Sequence, residues 1–387
     1  MTSGQRDELI AARADAILAR VHTAEAYAEH FEGQMRARTF KAQMRGKARK
    51  LLAPLRFFRG TGLILLPLIL VPCALLGYAA VTTDTAPVMS FGANEVAAVN
   101  TASGRLGAVA PLPGPPGAVT AADGSVWVAD PAAGQVSRID PGTGAQVARV
   151  LVGGQPGAIA GGGGAIWVAG AQGAALTRID PATDTVTQTI TLPWAHPGAV
   201  AVGAGRVWVA DPAARQLAEI DPVTGSVQRT LPVDLRPSAI AAAGPVIWVA
   251  GSDTGTVEEL APASGRVLAR VRVGAGPAAL AAGAGSLWVA SSAAGTLSRI
   301  DPAAGAVTAT IRVGRGAAAV AAGPASVWVA GQRAGTIARI DPRTDQVTAT
   351  IDLTGTPTSL TITGTSVWTA VRQTAVTTSG YQDPPGR

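Results

Sequence analysis

One phrase built on tryptophan constrains this chain more than anything else in it. Gly124-Ser125-Val126-Trp127-Val128-Ala129 returns as Gly164-Ala165-Ile166-Trp167-Val168-Ala169, again around Trp208, Trp248, Trp288 and Trp328, and in altered form at Trp368. The successive spacings are 40, 41, 40, 40, 40 and 40 residues. A period this constant means that every unit meets its neighbours in the same way, and units of about 40–45 residues with four short strands build propellers. The spacing therefore predicts an all-β chain, a seven-bladed β-propeller.

The fourth copy shows the unit. Ser238–Ala242, Val246–Ala250, Thr256–Leu260 and Val267–Val273 read as strands, with turns at Gly244-Pro245 and 262–265 and a loop at 251–255. Five copies carry Asp-Pro before the fourth strand (Asp140, Asp180, Asp221, Asp301, Asp341). Asp accepts bonds from turn backbone and Pro presets φ, so these acids read as structural. First strands hold one large apolar residue among small ones, as expected where seven strands converge on an axis. The recurrent Trp fills the wider gap further out and reads as core. After Val371 the pattern stops, whereas Glu95–Arg105 and Leu106–Leu112 match a third and a fourth strand. Two strands from each terminus are expected to complete the seventh blade, leaving no open edge.

The run Val-Gly-x-x-Pro … Val-Trp-Val-Ala … Ile-Asp-Pro-x-Thr-Gly-x-Val-x-x-Thr-Ile resembles the YVTN/YncE-like and NHL-type bacterial β-propellers over residues 91–378. It is also similar to the virginiamycin B (streptogramin B) lyases, seven-bladed propellers whose chemistry uses a magnesium ion and a His/Glu acid–base group. That second resemblance implies a carbon–oxygen lyase needing Mg²⁺. The repeats hold only His196 and the glutamates Glu95, Glu219, Glu258 and Glu259, with no paired-histidine motif to receive the lyase residues. Fold resemblance does not bring an activity with it.

Charge separates the chain into two parts. Residues 1–60 carry 12 Lys and Arg against 6 Asp and Glu, while residues 61–387 carry 19 Arg, no Lys and 19 acids. The repeats are neutral, so the sequence pI of 10.2 belongs to the N-terminal segment, and nucleic acid is not an expected partner of the propeller. A single cysteine, Cys73, excludes a disulfide framework and a multi-cysteine metal site.

Residues 5–35 read as an amphipathic helix with an a/d-like seam from Ile10 to Met35, either a self-associating or partner helix or simply a solvated one. From Arg36 to Arg59 nine basic residues occur without an acid, a composition that lies on anionic headgroups beside a membrane span. Thr61–Val81 is uncharged over 21 residues, roughly 31 Å as helix at 1.5 Å per residue, enough to cross a bilayer. The basic run before it, and one acid with no base in 82–94, place the N-terminus in the cytoplasm. Gly77-Tyr78-Ala79 resembles a cleavage site, but sixty preceding residues are too many for a signal peptide. The organisation expected is 1–60 cytosolic helix and polybasic segment, 61–81 transmembrane helix, 82–90 linker, 91–378 propeller and 379–387 disordered tail. The protein would be a single-pass bacterial membrane protein with its propeller outside the cytoplasm.

Within so regular a repeat, departures from the pattern mark the candidate site. They fall in the second-to-third-strand loops and the blade-to-blade crossings, which share one face. Trp194, His196, Asp234, Arg236 and Arg315 interrupt the crossings, and Arg215, Arg333 and Arg372 stand in or beside the loops. Aromatic and Arg side chains dominate binding hot spots, so these residues read as a recognition surface for a protein, peptide or envelope glycan. No catalytic combination stands out: no zinc spacing, no Gly loop followed by Lys, no nucleophile in a strand–turn–helix setting. The expectation is a tethered binding or sensory scaffold without catalytic residues, cofactor or metal, the alternative being a streptogramin lyase with Mg²⁺.

Overall fold

The computed structural model describes residues 88–90, 92 and 94–373. The N-terminal helix, the polybasic run, the span at 61–81 and the tail at 379–387 lie outside them. Among the described residues no helix is long and apolar enough to cross a membrane. They contain seven antiparallel sheets in a ring, each with four strands of the blade. Blades 1 to 6 follow the chain from Val119 to Leu353, and blade 7 combines Thr356–Thr363 and Ser366–Arg372 with Glu95–Asn100 and Leu106–Pro111. The fourth blade has strands Pro237–Ala243, Val246–Gly251, Thr256–Leu260 and Val267–Arg272, within a residue or so of the boundaries read from sequence.

Closure is by the expected exchange. Glu95–Asn100 runs antiparallel to Ser366–Val371, with Ala98 opposite Trp368 and Val96 opposite Ala370. A fifth strand was not foreseen: Val88–Met89, in the stretch read as linker, pairs in parallel with Asp352 and Leu353 on the outer edge of blade 6. The pair covers the Asp352–Leu353 end of that edge strand.

The repeated Trp is the mortar between blades. All seven of these side chains are buried, and each packs against the next blade of the ring. Trp127 meets Ile159, Ile166 and Val168 of blade 2, and Trp328 meets Leu360 and Val367 of blade 7. Trp368 closes the circle on Val119, Val126 and Val128 of blade 1. At about 25 cal/mol per Å², burying roughly 150–250 Å² at each seam contributes about 4–6 kcal/mol before entropy is counted. The indole nitrogens of Trp167 and Trp288 donate to the carbonyls of Gly162 and Gly283, both at 3.1 Å, tying the second strand to the end of the first.

Candidate functional site

Four antiparallel strands give each blade two unlike ends. The turns between strands 1–2 and 3–4 form one face, here the turn face, and the 2–3 loops and crossings form the other, the loop face.

On the turn face the recurrent Asp is a cap. Asp140 accepts the backbone N–H of Gly142 and Thr143 at 2.9 Å each, and Asp221 those of Val223 and Thr224 at 2.8 and 3.0 Å. These bonds hold both carboxyls below the usual carboxylate range, the Thr143 and Thr224 backbone bonds contributing most. The Asp-Pro acids are structural, as read. Arginine adds a second device. Arg138 donates to Ser125 Oγ at 2.9 Å and reaches across the seam to the Pro181 carbonyl at 2.8 Å and Asp184 at 3.0 Å. Its guanidinium also lies over Trp127, 5.4 Å from the ring centre. Sequence reading missed these staples. Part of their signal was available, because Arg138 and Arg299 each follow a repeat Trp by eleven residues and have Ser two residues before that Trp; Arg178 and Arg339 share the spacing, but the Arg178 Nε is buried without a partner. A bulge beside each of them, as between Arg138 and Ile139, re-aims the strand toward the next blade.

The residues expected to form a site lie in the loops and crossings of the loop face, six of them in two groups and Trp194 and His196 apart from both. Arg215, Asp234 and Arg236 come together on blades 3 and 4. Arg215 donates to the Asp234 carbonyl at 2.9 Å and to Asp253 Oδ2 at 2.8 Å, while the Arg236 backbone N–H bonds Asp253 Oδ1 at 2.9 Å. The Arg236 bond, with Arg215 beside it, holds the Asp253 carboxyl below its ordinary range. Asp234 pairs in turn with Arg270, whose Nε bonds Glu258 Oε1 at 2.9 Å. Burial pushes the Glu258 carboxyl up against the opposing pull of Arg270. The Arg215 guanidinium is taken up within this group, whereas the exposed Arg236 side chain enters no ion pair among the described residues and Glu258 Oε2 is buried without a partner. Arg215 occupies a left-handed position (φ 53°) where Gly134, Gly255, Gly295 and Gly335 serve other copies. Its ion pair is made at the cost of about 1 kcal/mol of backbone strain.

The second group lies on blades 6 and 7. Arg315 and Arg333 are exposed and enter no ion pair among the described residues. Their segments touch: the Gln332 N–H donates to the Gly316 carbonyl at 2.9 Å, and a Cβ on Gly316 would stand 2.7 Å from the Arg333 backbone nitrogen. Beside them opens a cleft of about 420 Å³, framed by the first strands of blades 1, 2 and 7 and lined by Gln332, Arg372, Thr358 and Ser359. Arg372 is exposed, with its Nε anchored on the Pro116 carbonyl at 3.1 Å. Thr358 and Ser359 also stitch blades 7 and 1, Thr358 donating to the Gly117 carbonyl at 3.3 Å and Ser359 accepting from the Val119 N–H at 3.1 Å. They were not singled out because small hydroxyls look like ordinary filling of a crowded first strand.

Trp194 and His196 stand apart from both groups, on the crossing into blade 3. The extra residue behind the single 41-residue spacing sits in this crossing. Trp194 is half-buried on the blade 2–3 core, and its Nε1 donates to Gln216 Oε1 at 2.8 Å. His196 is exposed, and its backbone N–H points to Asp211 Oδ2 at 3.4 Å. Among the described residues no three His, Cys, Asp or Glu side chains converge on a metal position. The hydroxyls, amide and guanidinium at the cleft do not fit Mg²⁺, which favours carboxylate oxygens.

The ring of blades and its terminal exchange define a seven-bladed β-propeller. Among solved structures the chain is similar to a streptogramin B lyase, with a TM-score of 0.60 at 17% identity over 72% of this chain and 95% of the other. It is similar to virginiamycin B lyase from Staphylococcus aureus, with a TM-score of 0.58 at 16% identity over 71% and 98%. It is also similar to the computationally designed Ika8 protein, with a TM-score of 0.57 at 16% identity over 75% and 95%. No family model and no curated protein matches the sequence. At such identities the likeness is one of fold.

Proposed function

We propose that this chain is a membrane-anchored, extracytoplasmic binding scaffold of the YVTN/YncE-like kind, working through the loop face on blades 6, 7 and 1. The observation that carries this reading is the contrast within that face. On blades 3 and 4 Arg215 is consumed by Asp253 and the Asp234 carbonyl, whereas Arg315 and Arg333 enter no ion pair among the described residues and adjoin Gln332, which lines a cleft together with Arg372. Guanidinium groups presented beside hydroxyls favour a ligand bearing carboxylates, since Arg binds carboxylate through two parallel bonds. An acidic peptide or a uronate-bearing envelope glycan has that chemistry. The uncharged stretch at 61–81 and the basic run before it support the anchor and the orientation.

The test is capture from envelope extract by the full-length chain and by an Arg315→Ala, Arg333→Ala, Arg372→Ala variant. A ligand held by the first and released by the second is the expected result. Equal capture by both would sink the reading. The lyase alternative draws on fold likeness alone. Turnover of a streptogramin with Mg²⁺, lost in His196→Ala, would establish it.

A further inference from the structure

The arginine staples of two turn-face seams define a set of acceptors, and a third seam repeats two of those acceptors with no arginine between them. Between blades 1 and 2, Arg138 bonds Ser125 Oγ at 2.9 Å, the Pro181 carbonyl at 2.8 Å and Asp184 at 3.0 Å. Between blades 5 and 6, Arg299 repeats this on Ser286 Oγ at 2.9 Å, the Pro342 carbonyl at 2.8 Å and Asp345 at 3.2 Å. Each guanidinium lies 5.4 Å from the centre of its own blade's Trp ring. Two copies of one arrangement, 161 residues apart (299 minus 138), show what the seam geometry selects: a planar, forked cation.

The seam between blades 7 and 1 keeps the serine and the proline carbonyl but lacks both the arginine and the carboxylate. Ser366 stands two residues before Trp368, as Ser125 and Ser286 stand before Trp127 and Trp288. Pro141 occupies the place of Pro181 and Pro342. The residue opposite Trp368, however, is Ala98. Both Ser366 and Pro141 line a cleft of about 520 Å³, together with Ser125, Gly142, Thr363 and Thr365. Asp123 stands between the lining residues Ala122 and Gly124, and Asp140, whose carboxylate accepts the N–H groups of its own turn, precedes Pro141. The carboxylate of Asp184 and Asp345 is replaced by Gly144, where a Cβ would stand 2.9 Å from the Val109 carbonyl oxygen.

We infer that this closure-seam cleft is a guanidinium-binding site, taking an arginine side chain presented by a partner protein as two other seams take Arg138 and Arg299. An ammonium satisfies the site less well, because Ser Oγ and Pro carbonyl are spaced for a fork and not for a point charge. This site lies on the face opposite the proposed loop-face site and is independent of it.

The experiment uses isotope-labelled full-length protein and two probes, N-acetylarginine methylamide and its lysine counterpart. The arginine probe should shift the amide signals of Gly142, Thr365 and Ser366 saturably, and the lysine probe should bind at least about five-fold more weakly. Ala98→Arg fills the site from within, so it should remove the saturable shifts and raise Tm. Ser366→Ala leaves the seam's packing intact and should weaken the arginine probe at least about three-fold. Equal response to the two probes would overturn the inference, as would undiminished binding by folded Ala98→Arg. Where Ala98→Arg does not fold, the Ser366→Ala result decides: unchanged affinity overturns the site, and weakened affinity supports it.

Discussion

The two faces of this ring are made by the same repeats, yet they use charge differently. On the turn face Arg138 and Arg299 bridge from one blade to the next, each meeting a hydroxyl, a carbonyl and a carboxylate that recur in sequence. On the loop face the charges occur once each, and some of them are left unpaired. Arg138 and Arg299 act as cement, whereas Arg315 and Arg333, which break the repeat, enter no ion pair among the described residues. The difference follows from geometry: turns of two to four residues admit few solutions and recur in most blades, whereas loops facing water tolerate change.

Deleting residues 91–112 should do most damage, because it removes two strands of blade 7 and exposes edges on both sides of the seam. We expect Tm to fall by more than about 10 °C, or the cooperative transition to vanish in a calorimetric scan. A retained midpoint would disprove closure by exchange. Next comes the comparison itself. Arg299→Ala removes a cation–π contact and three charge-assisted bonds of a group only a quarter exposed, which should cost about 1–2 kcal/mol. Arg315→Ala on the other face should stay within about 0.5 kcal/mol in urea titrations. Equal losses would erase the distinction between cement and free cation.

A smaller effect depends on pH. Glu258 is 2% exposed and stands where Ser137, Thr177 and Ser298 serve other blades, and burial raises its carboxyl above the ordinary value. A raised folded pKa means that stability is fully present below the unfolded pKa and declines as pH rises through the folded one. Glu258→Gln should therefore match wild type near pH 4 and gain on it toward pH 7, read as a difference in Tm. A constant difference across that range would show that the Arg270 pair offsets burial, and a wild type that gains on Glu258→Gln toward pH 7 would show that the pair outweighs it. The smallest change expected is Arg215→Gly. It relieves the left-handed strain and removes an ion pair between side chains 49% and 31% exposed, so the two effects nearly cancel. A loss above about 1 kcal/mol would make that pair a true support of the loop face.

Much of this was legible from residues alone. The Trp period set the number of blades, the halves at either end set the closure, and the Asp-Pro turns set one face as structural. The pairing of Arg215 with the Asp234 carbonyl and Asp253 was not legible, because these residues lie 19 and 38 positions apart and meet only where a crossing passes over a loop. Trp194 read as an exposed anchor, whereas its ring packs on the core and its nitrogen on Gln216; a lone aromatic in a loop says nothing of which way it turns.

The sequence by itself determined the repeat, its core and its ring, since a pattern written seven times leaves a single packing solution. Only the tertiary structure decided which charges are spent within the protein and which remain for others. Ion pairing depends on distances across seams and loops, and no local pattern encodes those distances. Ala98 shows this well: in sequence it is one more small residue, and in the ring it is the place where an arginine is missing.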